Sequence, residues 1–197
     1  MVAGTLAVRA QSYSTDDAAA VMQSYTLEGK GDYDGAIKQM TGRGVASTDY
    51  FFELRLGWLY YLKGAYATAS THYENAIAVR PQAADANVGL MNCSYALKEY
   101  KKTAATAKSM MKNDPANYYA NLYLVLVDLA SQNYGAAELH STAALKFYPT
   151  DLKLNLNLAY TYIYQARKDD AKAVANLLTT VFGSTNTDVA ALWSALQ

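Results

Sequence analysis

Apolar residues along this chain recur at three- and four-residue intervals, and short polar turns break the pattern at regular distances. From Leu54 to Leu62 the spacing is that of one face of an α-helix. Turn signals such as Lys63-Gly64 and Asn113-Asp114-Pro115 separate segments that predict helices of about a dozen residues, and no β-strand is expected between residues 50 and 180. Near the C-terminus Val189, Leu192, Trp193 and Leu196 form a single stripe on a final helix, with Thr187 or Asp188 placed to cap it. A lone pair of such helices cannot bury its apolar faces, whereas stacked pairs make one continuous core.

The repeat length comes from the prolines. Pro81, Pro115 and Pro149 are the three in the chain and stand 34 residues apart. A 34-residue period closed by proline is the tetratricopeptide signature. With proline at position 32, units begin at Tyr50, Ala84, Tyr118 and Leu152. The first resembles the tetratricopeptide family most closely: Leu56-Gly57, Tyr60, Gly64, Tyr66, Ala69, Tyr73, Ala76 and Pro81 all match. The next keeps Leu90, Tyr100 and Pro115; the third keeps Leu124, Tyr134, Ala137, Ala144 and Pro149. The fourth keeps Leu158, Ala159, Tyr162 and Ala171 but has Lys168 in place of a tyrosine and no closing proline. Upstream, Leu27, Gly31, Tyr33, Ala36 and Met40 match from Asp17 onward, although Gly42-Arg43-Gly44 loosens the second helix.

The resemblance implies an all-α, right-handed α-solenoid of antiparallel helix pairs with a C-terminal capping helix. Its units are about 17–49, 50–83, 84–117, 118–151 and 152–185, the cap is 187–197, and 1–15 lies outside the solenoid. Positions 8 and 24, which face each other in the family, hold Gly57 with Tyr73, Met91 with Ala107, and Val125 with Ser141. Small opposes large, so packing density is kept while the bulky partner changes helix.

Positions 2, 5, 9, 12 and 13 of each first helix line the concave groove in this family. Here they include Phe51, Leu54, Trp58 and Tyr61, then Val88, Asn92 and Tyr95, then Tyr119, Leu122 and Leu126, and finally Lys153, Tyr160 and Tyr164. This lining is mostly aromatic or apolar, which is the character of a binding surface. The family's carboxylate clamp needs lysine at position 5, where this chain has Leu54, Val88, Leu122 and Leu156; only Asn92 matches at position 9. Asn87, Asn121 and Asn155 form a row at position 4, two residues from the row that grips peptide backbone, which turns them about 200° away. They are expected to bond backbone carbonyls at helix ends.

Composition narrows the functional classes. Lys plus Arg and Asp plus Glu are both 17, no basic run is present, and a nucleic-acid partner is not expected. No apolar stretch reaches the length of a membrane span. Tyrosine occurs 18 times against four phenylalanines, so the aromatic rings also carry hydroxyls. His72 and His140 both fall at position 23, two units apart, which separates them by about 20 Å. Cys93 reads as core, and Asp128, at an inward position, calls for a buried partner, for which a tyrosine hydroxyl is expected. With no phosphate loop, nucleophile elbow or zinc spacing, neither catalysis nor a metal or cofactor is expected. The opening residues, with Val8 and Ala10 before Gln11, resemble the end of a secretory signal peptide, so a periplasmic or secreted location is the leaning and a cytoplasmic one the alternative. The expectation is a non-catalytic scaffold that binds a protein or peptide in its groove. A self-associating homo-oligomeric scaffold and an exported carbohydrate-contacting protein are the alternatives.

Overall fold

The computed structural model describes residues 14–42 and 49–197; the signal-like opening and Arg43-Gly44 lie outside them. The helices are α1 (Thr15–Glu28), α2 (Tyr33–Thr41), α3 (Tyr50–Leu62), α4 (Tyr66–Val79), α5 (Ala84–Ala96), α6 (Tyr100–Met111), α7 (Tyr118–Ala130), α8 (Tyr134–Leu145), α9 (Leu152–Tyr164), α10 (Lys168–Phe182) and α11 (Thr187–Ala195), with no strand among the described residues. Neighbours in sequence pack on each other throughout, and the first helices α3, α5, α7 and α9 also touch in series. That is an α-solenoid, with first helices on one wall and second helices on the other.

Side-chain caps set most helix starts. Ser14 and Asp17 form a reciprocal capping box on α1. Asp49, Asn117 and Asp151 accept from the opening N–H groups of α3, α7 and α9. At α11 the cap is Asn186, one residue before the expected Thr187, because its carbonyl Oδ1 reaches the N–H groups of Asp188 and Val189. The turn inside every pair uses one left-handed residue, at φ between 56° and 80°: Gly31, Gly64, Lys98, Gln132 and Ala166. These fall at the same repeat position, and only the first two are glycines, the residue that adopts this conformation without strain.

The asparagine row is structural, as the register requires. Each side-chain amide donates twice to the preceding turn: Asn87 to the carbonyls of Pro81 (3.1 Å) and Ala83 (2.8 Å), Asn121 to Pro115 (3.0 Å) and Asn117 (2.8 Å), Asn155 to Pro149 (3.0 Å) and Asp151 (2.8 Å). All three residues are buried. Each amide thus fastens the end of one unit to the start of the next, at about 1 kcal/mol per bond. In the first strong unit Glu53 takes this position and accepts instead, from His72 Nδ1 (2.7 Å) and Asn75 (3.1 Å).

The volume exchange also appears in the packing. A Cβ placed on Gly57 would lie 2.9 Å from the Tyr73 ring, and one on Gly89 of the next unit 2.3 Å from it, so that ring fills space that two glycines leave open. Met91 and Ala107 share a core cluster with Ala120 and Leu124. At the far end α11 lays Val189, Leu192 and Leu196 against Ala159, Ala171, Ala175 and Leu178, covering the last pair.

Candidate functional site

The expected groove residues fall into two hollows on the first-helix wall. The smaller, of about 280 Å³, is bounded by Phe51, Leu54 and Trp58 of α3, together with Tyr25, Arg55, Tyr73 and Asp85. The larger wall is continuous across α5, α7 and α9. One half gathers Val88, Asn92, Tyr119, Leu122, Leu126 and Tyr160 with Tyr123, Lys153, Leu156 and Asn157. The other gathers Tyr95, Leu126, Tyr160 and Tyr164 with Leu129, Ala130, Gln132, Tyr134 and Asn157. The halves share Leu126, Asn157 and Tyr160. Tyr61 borders neither hollow and stacks on Trp58 at 5.9 Å.

In the smaller hollow the polar groups serve the structure first. Arg55, 4% exposed, pairs with Glu28, donates from Nε to Ser24 (3.1 Å) and lies 3.7 Å over the Tyr25 ring. Trp58 Nε1 donates to the other oxygen of Glu28 at 2.8 Å. Both contacts fasten α1 onto α3. Trp58, which the repeat position assigns to the groove alone, therefore also holds the first helix pair in place.

The larger hollow has a different chemistry. Tyr119 and Tyr164 are 51% and 58% exposed, so large rings stand in solvent where core packing does not require them. The Tyr123 hydroxyl donates to Asn92, and burial pushes its pKa up to about 12. The hydroxyls of Tyr95, Tyr119, Tyr134, Tyr160 and Tyr164, and the side-chain amides of Asn157 and Gln132, have no hydrogen-bond partner among the described residues. Lys153 is the one charged residue on the wall of either half. Of these, Tyr123, Tyr134, Gln132 and Asn157 were not expected: Gln132 lies in a turn and Tyr134 on a second helix, while Tyr123 and Asn157 fall at position 6, the family's peptide-gripping position, which the groove positions 2, 5, 9, 12 and 13 leave out.

Elsewhere, Asp128 meets His140 Nδ1 at 2.5 Å and not the expected tyrosine hydroxyl. The reason is geometric: position 11 of the first helix faces position 23 of the second, as Tyr60 faces His72 with rings 5.1 Å apart in the first strong unit. Cys93 is fully buried, and burial pushes its thiol up to about 12. Among the described residues no helix is long and apolar enough to cross a membrane, and no cluster of His, Cys, Asp and Glu could hold a metal.

No protein-family model matches the chain, and no curated protein matches it in sequence. Solved structures do match. A tetratricopeptide repeat protein from Parabacteroides merdae superposes with a TM-score of 0.79 at 17% identity, covering 93% of this chain and 74% of that one. The crystal structure of MamA protein gives 0.73 at 16% identity, over 84% and 91%. The thermophilic TPR protein TTC0263 of Thermus thermophilus gives 0.66 at 17%, over 91% and 98%. The fold is that of the tetratricopeptide-repeat proteins, as the 34-residue register implies.

Proposed function

We propose that the chain is a non-catalytic scaffold that holds a protein or peptide partner against the wall formed by α5, α7 and α9. One observation carries this reading: a continuous hollow lined by tyrosine rings, Tyr119 and Tyr164 exposed among them, in which the hydroxyls of Tyr95, Tyr119, Tyr134, Tyr160 and Tyr164 and the side-chain amides of Asn157 and Gln132 have no partner among the described residues. Rings supply apolar area at low entropy, and unpaired polar tips supply orientation, a combination typical of binding hot spots. The likeness to MamA and to other tetratricopeptide-repeat proteins supports a scaffold of this kind. A random-peptide display library selected on the intact chain tests the reading. Enriched peptides should lose at least tenfold in affinity for the Tyr119→Ala/Tyr164→Ala variant, both of whose changes are at exposed rings. Undiminished binding of those peptides to the variant would overturn it. Self-association through the same wall predicts a change in molar mass by light scattering when the two rings are removed.

A further inference from the structure

Resting on that reading, we infer that the segment held on the first-helix wall is extended and carries two opposite charges, a basic side chain against Asp85 and an acidic one against Lys153. Five charged residues stand on α3, α5, α7 and α9: Glu53, Arg55, Asp85, Asp128 and Lys153. The chain itself uses three of them. Glu53 accepts from His72 and Asn75, Arg55 pairs with Glu28, and Asp128 meets His140. The other two are exposed and make no ion pair among the described residues. Asp85 accepts from the Tyr50 hydroxyl, and Arg80 lies over the Tyr50 ring without pairing with Asp85. In the smaller hollow Glu28 offsets Arg55, so the charge left over is that of Asp85. On the larger wall it is that of Lys153.

Their register gives the spacing. Both stand at position 2 of their units, two units apart, and position 2 of the unit between holds Tyr119, which is exposed. Because α5 touches α7 and α7 touches α9, steps of about 8–10 Å put the two charges about 20 Å apart. An extended chain rises about 3.3 Å per residue, so about six residues cover that distance and the third falls over Tyr119. Read from α5 to α9, the segment has a basic residue, an apolar or aromatic one about three places on, and an acidic one about three places further. Desolvation selects this pattern. A segment that covers Tyr119 and Leu122 takes water from beside both charges. Without counter-charges it leaves them uncompensated, and with like charges it meets repulsion. Selectivity therefore comes as much from what the wall rejects as from what it holds.

The test uses the full chain and a random-peptide display library, followed by two synthetic peptides read by fluorescence anisotropy. The library should enrich a basic and an acidic residue about six places apart. The first peptide carries that pattern, and in the second a lysine replaces the acidic residue. The intact chain should bind the first about fivefold more tightly. Lys153→Glu is an exposed change in the first turn of α9, where an acid is favourable, and it should invert the preference by about as much. Asp85→Asn, which keeps an acceptor for Tyr50, should abolish the advantage of the basic residue over a glutamine. Three results would overturn the inference. If library peptides depend on Tyr119 and Tyr164 but Lys153→Glu leaves the ratio of the two peptides unchanged, the groove reading stands and the charge reading falls. If both charges are enriched with no fixed spacing, the crossing from α5 to α9 falls. If no peptide depends on those tyrosines, both readings fall together.

Discussion

Replacing Gly89 with alanine tests the register of the stack at its tightest point. The new methyl would sit 2.3 Å from Tyr73 ring carbons, where ordinary contact begins at 3.4 Å, so something must move by about 1 Å. The ring is 3% exposed and also lies against Gly57, so little room is left for it to retreat. Overpacking of this kind costs about 1–3 kcal/mol; the better helix propensity of alanine returns about 0.5–1 kcal/mol. The net expectation for Gly89→Ala is a loss of about 1–2 kcal/mol. Tyr73→Leu alone should also destabilise, because it opens a cavity between α3, α4 and α5. The informative species is the double variant, in which the shorter side chain vacates the space the methyl needs. Urea unfolding of all four proteins, followed by far-UV circular dichroism, should show the double variant at least 1 kcal/mol more stable than the sum of the single losses. Additivity within about 0.5 kcal/mol would mean that Gly89 and Tyr73 do not compete for one space, and the packing argument would fail.

Other expectations follow from single contacts. Ala166→Gly relieves a left-handed residue at φ 59° and should raise the unfolding midpoint, with a gain of about 1 kcal/mol; a lower midpoint would contradict the strain. Glu28→Ala leaves the buried Arg55 without its counter-charge, a loss of about 3–5 kcal/mol that should appear in hydrogen exchange as selective loss of protection in residues 15–41, and uniform loss across the stack would contradict it. Burial pushes Tyr118 and Tyr123 up to about 12. The folded state therefore keeps protons that the unfolded chain releases near pH 10, so stability should be flat at neutral pH and fall between about pH 10 and 12. Tyrosinate absorbance that rises in one step near pH 10, with the helices intact, would contradict that.

Much of the architecture was legible because a repeat reports its own geometry. The three prolines fix the period, and the first helices α3, α5, α7 and α9 begin at Tyr50, Ala84, Tyr118 and Leu152. The position-4 asparagines could be read as structural from helical rotation alone. What escaped the sequence depends on partners from neighbouring elements. Asp128 meets His140 because of how positions 11 and 23 face each other, a relation between two helices that spacing along one helix does not express. Trp58 bonds to Glu28 across an irregular first unit whose register the sequence fixes poorly. The left-handed turns at Lys98, Gln132 and Ala166 have no glycine to announce them. The hollow beside Tyr134 and Tyr164 is assembled from α5, α7, α8, α9 and the turn at Gln132, a juxtaposition across units that leaves no motif along any one of them.

On this proposal the first-helix wall, and not the opposite face, is the working surface. The second helices and their turns also expose apolar groups, Leu139 at 65% and Phe147 at 52% among them, so the alternative is a concrete one. Backbone amide shifts of the isotope-labelled chain, recorded while a library-selected peptide is titrated in, separate the two. The largest perturbations should run along α5, α7 and α9, centred on Asn92, Tyr119, Asn157 and Tyr164, and should disappear in the Tyr119→Ala/Tyr164→Ala variant. Perturbations centred on Leu139, Phe147 and the outward side of α8, with the first helices unmoved, would contradict it.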